Sequence, residues 1–170
     1  TQFLPQHVGI VGQGATASAG YALAPYRITS AQMAALRYGF GSPIHRAALQ
    51  LFPPTGGGVG SIPVTVFPVA EDGAGAAAVG SITPSGAAAA VASYWVRVAG
   101  ILSAPFTTAV GDNVATLCDK IVAAVNAILE MPVIAADGST DVDLTCKWEG
   151  ASGNDLVVED PSSGFVGAVV

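Results

Sequence analysis

Apolar stretches in this chain are short and are repeatedly cut by glycine and proline, a pattern that predicts many small elements. His7 to Val11 is a compact apolar run closed by Gly12-Gln13-Gly14, which reads as a buried strand entering a loop. Tyr26 to Ile28 reads as a second short strand. Ser30 stands as N-cap before a helix over Ala31 to Tyr38, and Gly39 ends it. Ser42-Pro43 repeats the signal, with Pro43 at the first helical position of a helix running to about Phe52, before Pro53-Pro54. A Gly-rich loop, Thr55 to Gly60, leads to a strand over Pro63 to Val69. Strand, helices, strand is the order of an α/β unit.

Glu71 to Ala78 is Gly/Ala-rich and reads as a linker, placing a boundary between segments 1–72 and 73–170. Beyond it, Val79 to Thr83 is a strand, and Tyr94 to Val98 with Ile101 to Thr107 form a hairpin around Ala99-Gly100. Asp112 or Asn113 caps an amphipathic helix whose apolar face is Val114, Leu117, Cys118, Ile121, Val125 and Ile128, closed by Pro132. Val133 to Ala136 is a strand, and Asp137-Gly138 signals a hairpin turn. Val142, Leu144, Cys146 and Trp148 alternate with Asp143, Thr145 and Lys147, so that strand has one buried and one wet face. Leu156 to Val158 is read as the last short strand. The expected class is α+β, an α/β unit followed by a strand-rich module with one helix packed on a sheet.

Composition sharpens this reading. The chain has 170 residues and only 11% charged side chains, against roughly 25% in an average soluble domain. Low surface charge weakens colloidal repulsion and favours association. The charges are also unevenly placed. Residues 1–70 hold Arg27, Arg37 and Arg46 and no acid, whereas the rest holds all 12 acids against Arg97, Lys120 and Lys147. No clustered basic face for nucleic acid is expected, and the acidic total argues against anionic membranes. The uncharged stretches 47–70 and 73–96 are broken by Pro53, Pro54, Pro63, Pro68 and Pro84, so neither predicts a membrane span. Without an initiator Met or a signal-peptide pattern at Thr1, the chain reads as a piece of a longer, structural protein.

The candidate chemistry is sparse. Gly12-Gln13-Gly14-Ala15-Thr16-Ala17 follows a strand and fits the G-x-G-x-x-A pattern, whose amides would cradle a pyrophosphate. The acid that should hold the ribose about twenty residues later is missing, because no acid precedes Glu71. Asp137, Ser139, Asp141 and Asp143 superficially resemble a calcium loop, but the sixth and twelfth places hold Val142 and Trp148 instead of Gly and Glu. His7 and His45, the only histidines, read as surface residues with neither zinc spacing nor a neighbouring acid. Cys118 and Cys146 both point to the core of the second part, as free thiols or as a pair. Trp95 and Trp148 read as core or intersubunit packing. No catalytic, cofactor-binding or metal-binding residue is assigned, and no enzyme activity is expected.

Several stretches resemble, in order, the tail sheath protein of Mu-like contractile-tailed bacteriophages. They are Val8 to Gly14, Tyr26 to Ser30 leading into the following helix, Tyr38 to Ser42, and Ile62 to Val69. Tyr94 to Gly100, the Gly111-Asp112 helix ending in Met131-Pro132-Val133, Leu144-Thr145 and Gly150 to Asp155 continue the series. The resemblance implies a virion protein, assembled in host cytoplasm into hexameric rings stacked helically around the tail tube and ending at the baseplate. Contraction of that sheath drives the tube through the host envelope. It also implies that this chain lacks the terminal arms and the C-terminal domain of the longer family protein and includes the protruding module. Alternatives are the sheath of a phage-derived injection device, or a nucleotide-binding α/β domain using Gly12 to Ala17.

Overall fold

Serine caps start the two helices of the first unit. In a computed structural model, which describes residues 6–15, 21–71, 74–160 and 164–168, Ser30 Oγ accepts from the Met33 amide at 3.1 Å to open α1 (Ala31–Tyr38). Ser42 Oγ accepts from the His45 amide at 3.2 Å to open α2 (Pro43–Leu51). Gly39 ends α1 at φ 94°, in the left-handed region that only glycine adopts at little cost. The chain forms two compact units, Thr1–Gly73 and Ala74–Val170.

In the first unit, β1 (Val8–Gly12) runs parallel to β3 (Val64–Pro68), and β2 (Tyr26–Ile28) pairs antiparallel on the other side of β3. The parallel pair needs a long crossover, which α1 and α2 supply. Ile10, Ile28, Val64 and Val66 point from one sheet face into a core with Ala34, Tyr38, Ile44 and Ala48 from the helices.

In the second unit, β10 (Val142–Glu149) is the central strand between β4 (Ala77–Ile82) and β9 (Val133–Asp137), antiparallel to both. Its alternating Val142, Leu144, Cys146 and Trp148 are buried, with Cys118, Ile121 and Val125 of α3 (Val114–Asn126) in the same core. Asn113 is the cap of α3, its Oδ1 accepting from the Thr116 amide at 2.9 Å. The mixed α+β class is therefore observed.

Four local expectations need correction. Ala77 and Ala78, read as linker, belong to β4, because Ala78 is buried against the second core and tertiary packing overrides alanine's weak strand preference. The hairpin is not continuous. β6 (Arg97–Val98) and β7 (Ile101–Leu102) turn through Ala99 and Gly100, both at positive φ. β5 (Ala92–Tyr94) and β8 (Phe106–Thr108) pair in a separate sheet one residue out of step. Pro105 has no amide for a ladder, and the Val96 amide turns instead to Ser103 Oγ at 2.9 Å. Helix α3 stops at Asn126 rather than running on to Pro132. Finally, β11 (Val157–Asp160) is not the last strand: β12 (Gly164–Ala168) pairs with it, in a sheet ordered β12-β11-β6-β7. The glycines of β12 hide any alternation.

Candidate functional site

The glycine loop after β1 is occupied by its own unit. The Gly14 amide donates to the Tyr21 hydroxyl at 3.1 Å, and the Ala15 amide donates to the Tyr38 carbonyl at 2.8 Å. These amides would have faced a pyrophosphate. A Cβ at Gly14 would lie 2.5 Å from the Tyr21 ring and 2.9 Å from the Tyr38 carbonyl oxygen. This glycine therefore serves close approach of protein to protein. Thr16 and Ala17 lie outside the described residues.

His45 corrects the expectation of a surface histidine. It is 2% exposed, and its Nδ1 accepts the Gly41 amide at 3.0 Å, with the Phe40 ring edge-on at 5.5 Å. Its position three residues after the Ser42 cap turns the imidazole back onto the turn between the helices, satisfying a buried amide there. Sequence spacing carried no signal for this, because the partner is a backbone group. His7 is exposed.

Asp137 and Ser139 form the β9–β10 turn: Asp137 Oδ1 accepts the Ser139 amide at 2.8 Å, and the Gly138 amide donates to the Asp141 carbonyl at 2.9 Å. The residue at positive φ is Ser139, at 73°, rather than Gly138, so the turn is longer than the tight two-residue form that Asp-Gly signals. Among the described residues, no group of three or more His, Cys, Asp or Glu side chains is arranged to hold a metal ion.

Cys118 and Cys146 are both buried in the second core and are not joined by a disulfide. Burial pushes the Cys118 thiol up, and Asp137, Asp141 and Asp119 push it further by disfavouring the thiolate. That is opposite to the environment of a nucleophilic cysteine. Burial pulls Lys147 down from its usual value, and its ammonium donates to the Leu129 carbonyl at 3.0 Å. Trp148 is buried, with Nε1 donating to Ser152 Oγ at 3.0 Å, whereas Trp95 falls between strands and is partly exposed. In the second unit a cavity of about 440 Å³ lies beside Tyr94, Trp95, Phe106, Leu117 and Ile121, with no charged residue in its lining.

What the sheets leave uncovered is the more informative feature. Parallel strands are ordinarily buried on both faces, yet the second face of the β1-β3-β2 sheet is open. Val11 is 73% exposed and Phe67 44%, and the two are direct partners in register. Arg27, Thr65 and Gly9 form the neighbouring row. The β4-β10-β9 sheet also has an open face. There Val79 (50% exposed), Thr145 and Ile134 (45%) form one row, and Ser81, Asp143 and Ala136 the next.

No family model and no curated protein matches the chain. No helix among the described residues is long and apolar enough to cross a membrane.

Proposed function

We propose that the chain is a structural segment of a contractile tail sheath, a protein whose work is assembly with copies of itself around a tail tube. One observation carries the reading: each unit offers an open sheet face with exposed apolar side chains in one row, Val11 beside Phe67 on the first and Val79 and Ile134 flanking Thr145 on the second. Exposed apolar side chains gathered on one face in this way mark interaction surfaces. The chemistry-bearing side chains support it from the other direction, since His45, Cys118 and Cys146 are built into the cores. The ordered resemblance to Mu-like sheath proteins along both units specifies which assembly.

In this role the protein belongs to the virion tail, where it forms hexameric rings stacked between baseplate and tail terminus and contracts to drive the tube forward. It needs no cofactor and performs no catalysis. Gold-labelled antibodies raised against the 170-residue chain test this on contractile particles from the source cells. Labelling along the whole tail shaft is the expected result, and labelling confined to capsid, fibres or soluble fractions overturns it. Capsid and terminase genes beside the coding sequence would mark a phage, and their absence a phage-derived device.

A further inference from the structure

We infer that the two open sheet faces are partners for each other between copies, so that the first unit of one copy packs face to face on the second unit of the next. The inference rests on the assembly reading above and adds which surfaces meet. Each face has a similar plan, a row that carries the exposed apolar side chains beside a row that carries one charge, with residues two apart on a strand separated by roughly 6.6 Å. On the first unit, Phe67 and Val11 adjoin the row of Arg27, Thr65 and Gly9. On the second, Val79, Thr145 and Ile134 adjoin the row of Ser81, Asp143 and Ala136.

Laid together, the row of Val11 and Phe67 meets that of Val79 and Ile134, and the row that carries Arg27 meets the row that carries Asp143. The charge of each part agrees with this choice of occupant, because residues 1–70 carry three arginines and no acid while the remainder carries all 12 acids. Like faces would oppose like charges, Arg27 to Arg27 or Asp143 to Asp143, so a two-fold pairing of either face with itself is disfavoured. Lys147 keeps its charge on the same strand but lies roughly 13 Å along it from Asp143, with its ammonium held on the Leu129 carbonyl. Gly9 keeps the first face low beside Phe67, where a Cβ would be 3.4 Å from the ring. Sheets pack face to face at about 10 Å, and Gly9 leaves room for a partner side chain beside Phe67.

Where only one of the two unlike patches of each copy is engaged the contact is heterologous and builds rings or open filaments, and where both are engaged at once it closes a reciprocal dimer. A single such contact joins two three-stranded sheets. Repetition around a ring would give it avidity.

The test is sedimentation velocity of the 170-residue chain from micromolar to millimolar concentration, at low and high salt. The expected result is reversible, concentration-dependent association, to a dimer or beyond, that is weakened by salt. Arg27→Glu and Asp143→Arg, both at exposed positions, should each weaken association roughly tenfold. Mixing the two variants should restore it. The new carboxylate at position 27 of one chain then meets the new guanidinium at position 143 of the other, while the remaining pair is native. A chain that stays monomeric throughout overturns the inference. So do single reversals without effect, or a mixture no better than its components. Natural-length protein carrying Arg27→Glu separates the two readings. Tubes that form normally refute the pairing and leave the sheath reading standing. Association of the short chain with no tubes from the natural-length protein refutes the sheath reading and leaves the pairing.

Discussion

Asn126 grips Ala135 through both atoms of its side-chain amide: Nδ2 donates to the Ala135 carbonyl at 2.8 Å, and Oδ1 accepts the Ala135 amide at 2.9 Å. The last residue of α3 thereby closes the outer edge of β9, which lies at the margin of its sheet. An unpaired edge is a template for unwanted strand pairing, and this contact covers it. Asn126→Ala should lower stability by about 2 kcal/mol, two hydrogen bonds being lost together. Urea denaturation followed by circular dichroism measures this, and an unchanged midpoint refutes it.

Tyr38 is fully buried, and its hydroxyl has no hydrogen-bond partner among the described residues. The ring is held edge-on by Tyr21, with centroids 5.4 Å apart. Tyr38→Phe keeps the ring and removes the unsatisfied group, so stability should hold or rise by up to about 1 kcal/mol. A clear loss in the same denaturation assay would show that the hydroxyl is bonded after all.

Gly14→Ala should destabilise the first unit by roughly 1–3 kcal/mol, because the new methyl meets the Tyr21 ring and a backbone carbonyl. The same occupancy predicts that calorimetric titration with dinucleotides gives no heat. Measurable binding would reopen the nucleotide reading of Gly12 to Ala17.

Asp112 is held below the usual carboxylate range, first by the Ala109 amide, which donates to Oδ2 at 2.7 Å, and then by its contact with Lys120. A carboxyl whose folded value is depressed contributes stability that is present above its unfolded value of 3.8 and is lost as pH falls through the folded value. The melting temperature should therefore drop below about pH 4, and Asp112→Asn should make that drop shallower. An equally steep drop in the variant would assign the acid sensitivity to other carboxylates.

The helix starts were legible because capping chemistry is local: Ser30, Ser42 and Asn113 each announce a helix within a few residues. The central strand of the second unit was legible because Val142 to Trp148 alternates cleanly. What escaped depends on partners distant in sequence or on the backbone. The burial of His45 follows from the Gly41 amide, and the grip of Asn126 from an edge nine residues away. The one-residue slip between the β6–β7 and β5–β8 pairs arises from Ser103 and Pro105, whose effect shows only when two strands are aligned. The wet face of the second unit's sheet was legible in the same alternation, whereas the open face of the first was hidden for a related reason. An apolar run such as Val8 to Val11 looks the same whether one face or both are covered.

The central proposal is that this chain is a segment of a self-assembling sheath. Negative-stain electron microscopy of the natural-length protein, purified and brought to assembly conditions, tests it most directly. The account predicts hollow tubes of stacked rings. Persistent monomers, under conditions where the protein is folded, would contradict it.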